Sequence, residues 1–390
     1  MYEENNNQYN YGQQGTPTQQ YPPQYSPYPP YPQYQYAPVV PPVIDPEQAA
    51  REEEKRSIKK VALWVGLPCL ALSAIGIIFS EFIQILLIFL EKYTNTTKEQ
   101  AIDFLQNPAI QQVTQILLSS LMFLLPFSIA AKASKHKLST LISFKKVEKG
   151  KILPYLFFGM GFCAFAQIAS SYISSFIESF GFEYNVSFGE NPKGIYGFLL
   201  SFIATAITPA LVEEFACRGV ILGLLKKHGE GFAILVSAIV FGVMHGNFQQ
   251  IPFATIVGLV LGYIYVKTNS IWICVAVHGI NNAVSVIMSY LDGVLSVNLQ
   301  NVVYMAYLIT CLLLAGIGVL LLSKNNTADF TLKKSKSKLT GKQKFRYFFL
   351  YWAILVFLIV NILEALSYFN INIMDLIYSF IYQALGSAGA

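Results

Sequence analysis

The chain has 390 residues, 54% of them apolar and only 13% charged, with a mean hydropathy of +0.46. A soluble domain carries roughly a quarter charged residues, so this composition excludes a soluble globular protein. The net charge of +5 concentrates in short loops, where it bears on membrane orientation and not on nucleic-acid or other acidic partners.

Residues 1–45 form a Tyr/Pro/Gln/Asn-rich tail, as in the stretch Tyr21-Pro22-Pro23-Gln24-Tyr25. Proline at this density removes backbone donors and favours extended conformations, so the tail is predicted to be disordered. The charged stretch 46–60, with Arg51, Lys55, Arg56, Lys59 and Lys60 among four glutamates, reads as a helical lead-in to the membrane. No secretory leader is expected, because the first apolar run begins only near Val61.

Runs long enough to cross a bilayer, which takes about 20 apolar residues in a helix, follow near 61–80, 110–131, 153–177, 195–225, 231–247, 250–267, 271–291, 302–323 and 347–369. Helices are the expected form, because backbone groups in lipid must be paired within the segment. The predicted fold is therefore all-α, a polytopic transmembrane bundle of about nine spans. Basic residues crowd into 51–60, 132–151 and 324–346, which orients the N-terminus to the cytoplasm and the C-terminus outside, as in a multi-pass plasma-membrane protein. Residues 81–91 extend the first run past Glu81. Residues 371–385 space Ile373, Ile377, Phe380 and Ile381 as in an amphipathic surface helix. The close-packing spacing of Gly258 and Gly262 marks a helix contact.

Five cysteines (Cys69, Cys163, Cys217, Cys274, Cys311) lie in or beside apolar runs without CxxC spacing, and read as packing residues. His136 and His228 stand beside lysines in loops and read as solvated. Glu364, in the last run, has no evident cationic partner in the sequence.

Ionisable groups inside membrane spans default to a functional hypothesis, and three successive motifs supply them. They are Glu213-Glu214-Phe215-Ala216-Cys217-Arg218, Phe241-Gly242-Val243-Met244-His245 and His278-Gly279-Ile280-Asn281-Asn282. Arg218 lies four residues after Glu214, on the same helical face and in the favoured acid-then-base order. Adjacent helical residues diverge by about 100°, which turns Glu213 elsewhere, toward a catalytic water. The reverse assignment of the two glutamates is the alternative. Phe241 and His245 share a face, as do His278 and Asn282. An intramembrane cavity collecting Glu213, His245, His278 and Asn282 has the parts for water activation and oxyanion stabilisation. The same residues serve a second mechanism, in which Glu213, His245 and His278 bind a divalent metal such as zinc whose water is the nucleophile. Sequence alone leaves both open.

The order EExxxR, FxxxH, HxxxN resembles the CAAX-protease and bacteriocin-processing (CPBP, Abi) family of intramembrane proteases. Pro209 before the glutamates and Gly219 after the arginine fit the same pattern. The resemblance covers 195–291 as a catalytic core, with transmembrane helices before it (61–194) and after it (292–390). It implies an all-helical core that cleaves peptide bonds of membrane-associated peptide or protein substrates. It further implies Glu213 and His245 as the water-activating pair and His278 and Asn282 as oxyanion stabilisers. Family members are named metalloproteases, and a metal-independent glutamate mechanism has also been proposed for the fold. The alternatives are a non-catalytic immunity or scaffold protein on the same fold, and a proton-coupled transporter. The absence of an inverted repeat of the motifs speaks against the transporter.

Overall fold

A computed structural model describes residues 45–94, 97–180, 190–292, 294–324, 331–334 and 336–369. The polar tail, apart from Asp45, and the expected amphipathic helix of 371–385 lie outside these residues. Twelve helices follow in chain order: α1 (Pro46–Tyr93), α2 (Lys98–Gln106), α3 (Pro108–Ala133), α4 (Leu138–Leu141), α5 (Lys149–Glu178), α6 (Gly194–His228), α7 (Glu230–Val243), α8 (Gln250–Thr268), α9 (Ile271–Leu291), α10 (Val297–Lys324), α11 (Gly341–Phe349) and α12 (Trp352–Ser367). Among the described residues there is no strand, only two isolated bridges. The chain is an all-α, multi-pass membrane protein.

Among the described residues, seven helices are long and apolar enough to span a bilayer, and α11 with α12 makes an eighth if that bent pair is one span. Two of the nine expected runs take a different form. The run at 231–247 yields only the 14-residue α7, about 21 Å long at 1.5 Å per residue, short of the ~30 Å hydrocarbon core. The run at 347–369 breaks at Leu350–Tyr351, where α11 and α12 meet at 72°. The lead-in and the 81–91 extension both belong to α1, a single 48-residue helix.

Small residues set the helix spacing, as expected where lipid supplies no hydrophobic force between helices. A Cβ on Gly161 of α5 would lie 2.1 Å from the Ala315 side chain of α10, and one on Gly66 of α1 would lie 2.7 Å from that of Ala353 on α12. Gly258 of α8 seats against Ala238 of α7, where a Cβ would come within 2.9 Å of backbone. The five cysteines are buried and unbridged.

Polar contacts gather at the end of the bundle where the basic segments lie. Ser337 Oγ donates to Glu54 at 2.5 Å, and the Lys338 N–H donates to the same carboxylate at 2.8 Å. His228 departs from the solvated reading. It is buried, its ring lies 3.4 Å from Ser57 Oγ, and its carbonyl accepts from Lys344 Nζ at 2.7 Å. Ser57 and Lys344 reach it from far along the chain, tertiary contacts that local sequence does not encode. His136 is exposed as expected.

Replacing Gly161 by valine should force α5 from α10 and cost about 1–3 kcal/mol, read as a lower melting temperature in detergent. An unchanged melting temperature would mean the helices separate there without loss.

Candidate active site

The site is built on α6, which is not a uniform α-helix. Two wider, π-type stretches, Phe202–Ile207 and Phe215–Ile221, flank a single α-helical segment, Thr208–Glu214. Such insertions are uncommon and concentrate at functional positions. Pro209 contributes to the first, because it has no N–H to give the carbonyl four residues earlier. That carbonyl, of Thr205, accepts instead from Asn282 Nδ2 on α9 at 3.1 Å. The third motif is thereby tied to the first through a backbone group that proline left short of its α-helical partner.

Glu214 and Arg218 form the ion pair that their spacing predicts. Arg218 Nη1 donates to Glu214 Oε1 at 2.9 Å, with the two side chains 1% and 0% exposed. His278 Nδ1 donates to the same carboxylate oxygen, also at 2.9 Å. Arg218 Nη2 donates to the Gly258 carbonyl of α8 at 3.3 Å, and its guanidinium lies 4.7 Å from the centre of the Phe241 ring. Phe241 meets His245 and His278 edge-on, with centroids 4.9 and 6.0 Å away. One aromatic ring of α7 thus packs against the cation and both imidazoles, and a cation–π contact adds to the ion pair.

Glu213 is separate from this network. Its side chain is 16% exposed, and its Oε2 lies 3.9 Å from His278 Nε2, buried and without a hydrogen-bond partner, as is Oε2 of Glu214. The predicted divergence of the two glutamates is what the structure contains, with Glu214 enclosed and Glu213 unclaimed. His245 lies just past the end of α7, where its Nδ1 donates to the Phe241 carbonyl at 2.8 Å. Because Nδ1 of each histidine faces an acceptor, Nε2 of each is the nitrogen left with a lone pair when the ring is neutral. Asn282 accepts at Oδ1 from Asn281 Nδ2 at 3.3 Å. Its second N–H remains available.

Such ring orientation also suits metal ligation. Yet among the described residues no three His, Cys, Asp or Glu side chains come together closely enough to hold a metal ion. Glu213, His245 and His278 are not assembled as a ligand set in this arrangement.

Sequence reasoning left Glu364 unassigned. A Cβ on Gly246 would lie 2.9 Å from its carboxyl carbon, so α12 brings an acid against the residue that follows His245. Gly246 has a φ of +62°, and glycine alone suits both the backbone and that close approach. Phe369 packs on Phe248 of the same loop, with ring centroids 5.4 Å apart. No sequence signal joins residues more than 100 positions apart in this way.

Fold and site together define a multi-pass helical membrane protein with a polar centre buried inside its bundle. Residues 195–284 match the family described as type II CAAX prenyl endopeptidase Rce1-like. The match is confined to that segment, where the chain is similar to this family. A 90-residue stretch is 31% identical to the Bacillus subtilis (strain 168) protein named "Putative membrane peptidase YdiL", covering 23% of this chain and 37% of that one. No solved structure matches.

Arg218→Ala should cost about 3–5 kcal/mol, because it strands a buried carboxylate. In a double-mutant cycle with Glu214→Gln, read by denaturation in detergent, a coupling of about 1–3 kcal/mol is expected. Additive effects would show that the pair does not stabilise the bundle.

Proposed function

We propose that the chain is an intramembrane endopeptidase that hydrolyses peptide bonds of membrane-associated peptides or proteins. The carrying observation is the division between the adjacent glutamates. Glu214 Oε1 is fixed by Arg218 and His278, leaving only its Oε2 unpartnered, whereas no hydrogen bond among the described residues reaches Glu213, whose buried Oε2 lies 3.9 Å from an imidazole. A structural ion-pair cluster needs the first and gives no reason for the second.

In this reading Glu213 takes the proton of a water that attacks the scissile carbonyl, then passes it to the leaving amine. His278, held by Glu214 through Nδ1, orients the water from Nε2, and His245 presents its own Nε2 after bonding to the Phe241 carbonyl. The free N–H of Asn282 donates to the developing oxyanion, a contribution realised only as charge builds in the transition state. The basic segments mark the cytoplasmic side of a plasma-membrane protein. The similarity to a peptidase-named relative over a 90-residue stretch supports the reaction class.

Purified protein should cleave members of a membrane-peptide library, and Glu213→Gln should lower the rate by about 10²–10⁴, the usual contribution of a general base. Its melting temperature should stay near wild type, because the substituted oxygen carries no hydrogen bond. Equal cleavage by both proteins would remove Glu213 from the chemistry. No cleavage by either, with both folded, would favour a non-catalytic scaffold. Chelation should leave the rate unchanged, and activity lost together with a stoichiometric metal would assign the metal mechanism instead.

A further inference from the structure

Away from the polar centre, a second cavity of about 510 Å³ opens between the α4 segment, the end of α6 and the end of α8. This is within the ~300–1,000 Å³ range of small-molecule sites. Its polar lining includes Lys145, Lys226, Ser139, Ser143, Tyr265 and Asn269, and no acidic residue contributes to it. Neither ammonium has a hydrogen-bond or ion-pair partner among the described residues. The walls are held in place: Tyr265 Oη accepts from the Ser143 N–H at 3.0 Å and donates to the Leu141 carbonyl at 3.1 Å. Ser143 Oγ donates to the Asn269 carbonyl at 2.6 Å.

The position in the bundle points to the ligand. The lining comes from the ends of membrane helices and the connection between α3 and α5, which places it at the membrane–water boundary. One wall, Ser139–Lys145, belongs to the segment 132–151, where seven lysines accompany one glutamate. At its edge Phe144 and Trp272 pair at 6.0 Å between centroids, both about half exposed. Exposed aromatic rings of this kind sit at headgroup level, and basic pockets between membrane helices accept anionic headgroups. We infer that this cavity binds the phosphate of an anionic membrane phospholipid, with Lys145 and Lys226 on the phosphate and Phe144 and Trp272 beside the glycerol and upper acyl chain. The inference is independent of the peptidase reading.

The test is native mass spectrometry of the full chain released from micelles holding equal phosphatidylglycerol and phosphatidylcholine of the same acyl chains. Wild type should retain the anionic lipid on the order of tenfold over the zwitterionic one. Lys145→Gln with Lys226→Gln should bring the ratio near one, while Lys334→Gln with Lys336→Gln, the same charge change elsewhere, should preserve it. Melting temperatures report folding of each variant, and Lys145→Gln alone, on an exposed residue, should reduce the ratio if the double variant does not fold. Equal retention of both lipids by wild type, or an equal drop in both double variants, would overturn the site. Displacement of phosphatidylglycerol by millimolar inorganic phosphate, with phosphate adducts in its place, would overturn the lipid and assign free phosphate.

Discussion

A carboxylate with no exposed surface, set inside a membrane bundle, constrains everything around it. Glu214 is costly there unless charge and hydrogen bonds reach it from several directions. Arg218 supplies the charge from one turn along α6, and His278 supplies a second donor from α9. The guanidinium in turn reaches the Gly258 carbonyl of α8 through Nη2 and lies against the ring of Phe241 on α7, with its Nε unpartnered. Four helices meet because a single acid has to be enclosed.

The geometry of α6 makes this enclosure compatible with an available second acid. A regular helix already turns Glu213 away from Glu214. The wider turns on either side alter the register of the chain as it enters and leaves the pair, and the proline-linked carbonyl of Thr205 gives α9 a fixed attachment through Asn282. His278 and Asn282 therefore have distinct positions along α9, one on the buried acid and one on the α6 backbone. Glycine at 258 lets α8 come near enough for its carbonyl to serve as an acceptor.

The far end of the same helix is braced by the α4 segment. Ile142 fills the space that a side chain at Gly219 would occupy, where a Cβ would lie 2.7 Å from it. The Leu141 carbonyl packs on Gly223, 2.9 Å from the corresponding Cβ position. Gly219 adjoins Arg218, so the loop that lines the basic cavity also packs on the stretch of α6 that carries the guanidinium. Interfacial chemistry and the polar centre share one helix.

Much of this was legible in the sequence because membrane physics leaves few options. Uniform apolar runs had to be helices, the EExxxR spacing had to put Arg218 on the face of Glu214, and polar groups in such runs demanded partners. Length alone could not decide the span count, since an apolar run at 231–247 becomes a short helix against α8, and the last run bends at Leu350–Tyr351. Which acceptor each histidine meets, Glu214 for His278 and the Phe241 carbonyl for His245, was also beyond the sequence. So were the burial of His228 against Ser57 and Lys344 and the approach of Glu364 to Gly246. These depend on contacts between residues far apart in the chain, set by how closely small residues let the helices pack. The sequence determined the helical fold and the chemical identity of the polar centre through local periodicity and the cost of charge in lipid. Only the tertiary structure decided which carboxylate is consumed and which is left free, because that choice rests on side chains brought from other helices.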